Sequence, residues 1–175
     1  MSVCDQSKGM TKPSIVTMAE PAWRPDPRAK QLWAINAALM WLPVFMVQAL
    51  ALVFHWWAAW IHLTVLAVTL VFAVVHIAVV PFWRYRVHRW EISDTAVYTR
   101  TGWFTQERRI APISRVQTVD TERGPIDRML GLATVTVTTA SSAGAVTISA
   151  LDQDTADRTV ARLTEIAGTN VGDAT

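Results

Sequence analysis

Cysteine is almost missing from this chain, with Cys4 the single thiol in 175 residues. A disulfide framework and a Cys-based metal site are therefore both excluded within one chain. An excess of one charge is missing where it would matter most. From Arg84 to Thr175 eleven Arg stand against eleven Asp plus Glu, so the net charge of +2 does not make this half a nucleic-acid binder. Reactive constellations are lacking too. There is no nucleophile-elbow Ser, HExxH pair or Cys–His arrangement, and Asp120, Glu122 and Asp127 have no His or Cys beside them. The expectation is a chain without catalysis, cofactor, metal, small-molecule substrate or nucleic-acid partner.

What the sequence does have is apolar length. Hydrophobic residues make up 51% of the chain, and most of the excess lies between Leu32 and Trp83. No Asp, Glu, Lys or Arg interrupts Leu32 to Phe54 or Trp56 to Trp83. At 1.5 Å per residue each run covers a hydrocarbon core of about 30 Å, and neither shows the polar stripe of a soluble core helix. Residues 32–83 are thus predicted to form a two-helix transmembrane hairpin. Its flanks orient it. Lys8, Lys12, Arg24, Arg28 and Lys30 precede the first run and Arg84, Arg86 and Arg89 follow the second, while His55 to Trp60 carries no Lys or Arg. The positive-inside rule places both termini in the cytoplasm of a multi-pass plasma-membrane protein.

Polar groups inside the runs are the candidates for helix contact. Asn36 and Gln48 either face the second helix or lie near headgroups and bond to their own backbone. His62 and His76 sit fourteen residues apart on one helix, about 21 Å, and cannot share a metal ion. Ahead of the hairpin, residues 1–31 hold Pro13, Pro21, Pro25 and Pro27 and no periodicity, so an unstructured segment is expected, with Trp23 dipping into the membrane interface.

After Arg84 the pattern changes to short β-favouring stretches. Strands are predicted over Tyr85–Ile92, Ala96–Arg100, Glu107–Pro112, Val116–Thr121, Ala133–Thr139 and Ala145–Ala150. Val135 and Val137 alternate with Thr134, Thr136 and Thr138, the mark of a strand with one buried face. Ser93-Asp94 and Ser141-Ser142-Ala143-Gly144 read as turns. Ala156, Val160, Leu163 and Ala167 recur at helical spacing, with Gly168 as the expected end. The predicted domain is 84–168, followed by a flexible tail, 169–175.

Four segments in this order carry a resemblance: Trp90-Glu91-Ile92-Ser93-Asp94, Thr101-Gly102-Trp103-Phe104-Thr105, Ile113-Ser114-Arg115-Val116-Gln117 and Gly124-Pro125-Ile126-Asp127-Arg128-Met129-Leu130-Gly131-Leu132. Together with the preceding hairpin the series resembles the bacterial pleckstrin-homology (PH)-type membrane proteins of the YdbS-like group. The resemblance implies a membrane α-hairpin plus a β-rich PH-like domain, two bent antiparallel sheets closed by a C-terminal helix. The Gly124–Leu132 segment fits neither a Walker motif nor a dinucleotide fingerprint. It reads as a structural turn: Gly124 and Pro125 end a strand, Ile126, Met129 and Leu130 plug the barrel mouth, and Gly131 releases the chain.

Two functions remain to be separated. A membrane-anchored adaptor would bind a protein partner, an accessory-subunit complex or a second copy of itself, and Trp103 and Phe104 would meet that partner, enter the membrane interface or fill the barrel end. A lipid-sensing module would instead use basic side chains against anionic headgroups, with Arg84, Arg86, Arg89, Arg108, Arg109 and Arg115 as the candidates. Positive flanks occur on most spans, so these arginines equally serve topology alone.

Overall fold

A computed structural model of the chain describes residues 20–54, 58–102, 105–140 and 144–172. Two long helices come first, α1 (Ala29–Val53) and α2 (Ala59–Val87), of 25 and 29 residues. Both exceed the length needed to cross a bilayer. Their large apolar side chains stay uncovered, with Trp60 70% and Phe72 63% exposed. A soluble core helix would bury that surface, so lipid is the solvent these helices are built for.

Polar pairs set the helix register. Trp41 Nε1 donates to His76 Nδ1 at 3.1 Å, and Gln48 Nε2 donates to Thr69 Oγ1 at 2.6 Å. The second pair lies one heptad further along α1 and one heptad back along α2, as an antiparallel seam requires. A bond received at Nδ1 leaves the neutral His76 proton on Nε2. Asn36 is exposed on α1 and takes no part in this seam, so of the two polar candidates Gln48 alone meets the second helix.

α2 does not stop at Trp83. It runs through Arg84, Tyr85 and Arg86 to Val87, where a strand was expected from Tyr85. These four residues contain no helix breaker, and Lys30 Nζ on α1 sits 4.7 Å from the Tyr85 ring centre and 5.4 Å from that of Phe82. Cation–π contact of this kind fastens the last turn of α2 to the first turn of α1.

Two three-stranded antiparallel meanders follow. The first comprises β1 (Arg89–Ile92), β2 (Ala96–Thr101) and β3 (Glu107–Pro112). A 3-10 turn (Ile113–Arg115) leads into β4 (Val116–Glu122), which pairs with β5 (Leu132–Thr139), itself paired with β6 (Val146–Asp152). Val97 and Ala111 from the first sheet meet Val135, Val137 and Ile148 from the second in one core. The Thr faces of β5 point away from it, as the alternation predicts. α4 (Gln153–Gly172) closes that core with Ala156 and Leu163. Gly168 lies inside this helix rather than ending it, a placement that costs about 1 kcal/mol relative to alanine without forbidding the helix.

Between β4 and β5 the Gly-Pro segment forms α3 (Pro125–Leu130). Asp127 Oδ2 accepts the Gly124 N–H at 3.0 Å, and Gly131 adopts φ +67°, the left-handed conformation that releases the chain. The expected plug needs correction. Met129 is 85% exposed, while Ile126 and Leu130 pack on a second cluster with Ala29, Leu32 and Trp33 of α1. That packing turns α3 toward the hairpin rather than a barrel mouth.

Residues 20–28 also depart from expectation, for they form a strap across the domain. Trp23 and Trp90 exchange backbone hydrogen bonds at 3.0 and 2.9 Å, adding a bridge to the free edge of β1. Three residues on, the Asp26 N–H donates to the Ala150 carbonyl of β6 at 3.0 Å. The strap thereby covers edge groups of both sheets, which would otherwise remain unpaired. Trp23 is 62% exposed on the domain.

Candidate functional site

A single residue, His88, separates the end of α2 from β1, so the start of β1 marks the membrane-proximal end of the first sheet. Register then places the other arginines. Arg89 lies opposite Arg100, and Arg100 opposite Arg108, giving a row of three across one face. Like charges directly opposed are unfavourable. Glu20 of the strap relieves the row by pairing with Arg100 at 2.5 Å, with Gln106 Oε1 accepting from the same guanidinium at 3.0 Å. Arg86 is exposed at the end of α2 beside this row.

The opposite face of the same strand ends carries a polar groove of about 280 Å³. Thr99 pairs across from Arg109 and Thr101 from Glu107, so these side chains continue the inner face beyond the Val97–Ala111 core pair. Thr147 and Ser149 of β6 line the other wall, and Arg84 and His88 close the end next to the hairpin. The Arg84 guanidinium stacks 4.6 Å over the Trp33 ring. Arg109 is held by Glu107 at 2.7 Å and donates to the Ala145 carbonyl at 2.9 Å.

His88 is buried in this groove with its ring 5.0 Å from Trp33. Its Nδ1 lies 2.9 Å from the Arg84 carbonyl, which only accepts, so the proton sits on Nδ1. Burial and the nearby Arg84 charge push the imidazole down to about 4, although the bond to the carbonyl works the other way. At neutral pH His88 is an uncharged donor to the last turn of α2.

Five of the six candidate arginines thus meet at the membrane-proximal end. Arg115 does not, because β3 carries the chain six residues away from it, about 20 Å at strand spacing. Trp103 and Phe104 lie outside the described residues. Gly124, Pro125 and Gly131 serve the turn that docks α3 on the hairpin.

A second and larger groove, about 530 Å³, runs between the strap and α4. Trp23, Trp90, Pro25 and Ile92 form its apolar side, and Arg24, Arg158 and Arg162 its basic rim. Asp26 and Asp152 also line it, but both carboxylates are taken by Arg28, at 3.0 and 2.7 Å. Sequence reasoning missed this groove because it is made by pairing over sixty-odd positions. One local signal was available: Asp26-Pro27-Arg28 is an Asx turn, with Asp26 Oδ1 accepting the Arg28 N–H at 2.8 Å just ahead of α1. Among the described residues no three His, Cys, Asp or Glu side chains converge as a metal site.

Membrane-length helices carrying two antiparallel meanders and a closing C-terminal helix define a membrane-anchored PH-like protein. A family model described as a bacterial PH domain matches residues 32–167, and the chain belongs to that family. The UPF0699 transmembrane protein YdbS of Bacillus subtilis (strain 168) is 31% identical over 159 residues, covering 87% of this chain and 98% of that protein. No solved structure matches.

Proposed function

We propose that this protein is a two-span plasma-membrane adaptor, with both termini cytoplasmic, whose PH-like domain holds a partner protein at the inner leaflet without catalysing a reaction. The groove between strap and α4 carries this reading. Its aromatic and proline wall suits an extended apolar segment, and its arginine rim, where Arg28 occupies both lining aspartates and, among the described residues, only Arg162 has a carboxylate partner, the exposed Asp94 at 3.2 Å, favours acidic side chains on that segment. A second copy of the chain and a subunit of a larger complex are both occupants of this kind. A photocrosslinker at Thr155, read by mass spectrometry in native membranes, tests it. The expected adduct is an acidic, partly apolar peptide, lost on Arg158→Glu with Arg162→Glu. Adducts to lipid alone, or adducts indifferent to charge reversal, contradict it.

Contact with anionic lipid is a second reading, favoured by Arg89 and Arg108, which flank the Glu20-paired Arg100, and by exposed Arg86 at the end of α2. Each exposed basic side chain near an anionic surface contributes about 1 kcal/mol, graded by charge and screened by salt. Spin-labelled lipids in vesicles holding the full chain measure it. Enrichment of anionic over neutral lipid around the protein is expected, and Arg86→Gln with Arg108→Gln should halve it or more.

A further inference from the structure

The groove beside the end of α2 holds a cation in an unusual state. Arg84 is half-buried against Trp33, and among the described residues no carboxylate pairs with it. A guanidinium drawn partly out of water without a counter-ion is unfavourable unless an anion visits it. The other groove cation, Arg109, is neutralised by Glu107, so the groove keeps a single uncompensated positive charge. The hydroxyls of Thr99, Thr101, Thr147 and Ser149 line the same space, and among the described residues none hydrogen-bonds to another protein group. One charge and four available hydroxyls describe a ligand.

We propose that this groove binds the phosphodiester headgroup of an anionic, hydroxyl-bearing lipid drawn from the bilayer that α2 spans. Arg84 meets the phosphate, and the threonine and serine hydroxyls bond to the phosphate oxygens and the headgroup hydroxyls. Charge selects the diester. A phosphodiester carries one negative charge, whereas a phosphomonoester carries about two and leaves half its charge unmatched here. A volume near 280 Å³ suits a headgroup, below the range of sites for drug-sized ligands. Position selects the lipid as the source. Arg84 directly follows Trp83, which is 51% exposed at the helix end, and aromatic residues at helix ends mark headgroup depth.

This proposal rests on the lipid reading above and narrows it from a graded surface contact to one saturable site. The full chain in phosphatidylcholine nanodiscs doped with phosphatidylglycerol, followed by native mass spectrometry, distinguishes the two. One phosphatidylglycerol per chain should survive release, at least about tenfold in preference to phosphatidylcholine, as expected for a charge-assisted contact. Arg84→Gln should reduce retention about tenfold. Because Arg84 also stacks on Trp33, Thr147→Val with Ser149→Ala supplies a second variant on the outer face of β6, away from the core, and should weaken retention several-fold. Arg86→Gln with Arg108→Gln should lower the general enrichment of anionic lipid while the retained lipid stays. Retention that survives both groove variants overturns the site. Loss of retention with the Arg86–Arg108 pair but not with Arg84 overturns it while sparing the surface reading, and displacement by equimolar inorganic phosphate overturns the lipid source.

Discussion

Arg28 Nη2 lies 2.7 Å from Asp152 Oδ1, joining the residue just ahead of the first membrane helix to the last residue of β6. The same guanidinium holds Asp26 and donates to the Leu130 carbonyl at 2.9 Å, so strap, α3 and β6 converge on one side chain. The domain is therefore fixed to the hairpin at both ends of its chain, through β1 after α2 and through Arg28 before α1.

Arg28→Gln should free the strap without unfolding the sheets. The Asp26 amide, which donates to Ala150, should exchange several-fold faster, and protease should cut within residues 20–28. Acid should do the same to the parent chain. Burial pushes the Asp26 carboxyl up, but the hydrogen bonds and charge of Arg28 outweigh it and hold it below its ordinary value. Its contribution is thus complete above the ordinary carboxylate range and is lost as pH falls through the lowered value. Protease sensitivity of the strap should rise as pH falls below the ordinary carboxylate range, toward that of Arg28→Gln at pH 7.

His88 gives a second pH dependence. Its folded value, about 4, lies below the ordinary 6.5, so the unfolded chain takes up the proton first. Stability is full above about 6.5 and declines as pH falls toward 4. Arg84 on α2, Trp33 on α1, and Glu107 and Arg109 on β3 surround the ring. Imidazole NMR of the full chain should show His88 neutral at pH 5.5, and His88→Gln should flatten stability across this window.

Two small residues near the strap should respond in opposite ways. Gly131→Ala places a Cβ 3.0 Å from Arg28 Nη1 at φ +67°, and a loss of about 1–2 kcal/mol is expected from the left-handed backbone. Ala150 is the converse: a non-glycine residue at φ +57°, beside a register shift between β5 and β6. Ala150→Gly relieves about 1 kcal/mol of strain and loses one buried methyl of about 0.8 kcal/mol, so urea melts should show it near neutral.

The hairpin seam is testable by a double-mutant cycle. Trp41→Phe and His76→Phe each remove one side of the 3.1 Å bond, and a coupling of about 0.6 kcal/mol is expected from measured interhelical bonds. Unfolding in mixed micelles reports it, and zero coupling would remove the bond from the account.

Local signals were readable in the sequence and long-range ones were not. Uncharged runs announced α1 and α2, and the Val–Thr alternation of β5 announced which face is buried, because both depend only on neighbours. The strap was invisible because residues 20–28 have no periodicity of their own and gain structure from Trp90 and Ala150, far along the chain. α2 overran its expected end because Arg84 and Tyr85, polar enough to suggest a strand, are held helical by Trp33 and Lys30 across the hairpin. In the candidate site, the arginines were visible as charges, but only the overrun of α2 together with strand register could gather five of them and leave Arg115 behind. Thr99, Thr101, Thr147 and Ser149 carried no signal, since threonine in a strand ordinarily means a solvent face.

Site-directed alkylation tests the membrane placement most directly. In a Cys4→Ser background, Ala58→Cys at the turn and Asp157→Cys on the exposed face of α4 are exposed in turn to an impermeant maleimide on intact bacterial cells. Labelling of Ala58→Cys alone, with Asp157→Cys reacting only after permeabilisation, is the expected result. Asp157→Cys reacting in intact cells, or both sites reacting alike, would contradict a hairpin that holds the PH-like domain on the cytoplasmic side.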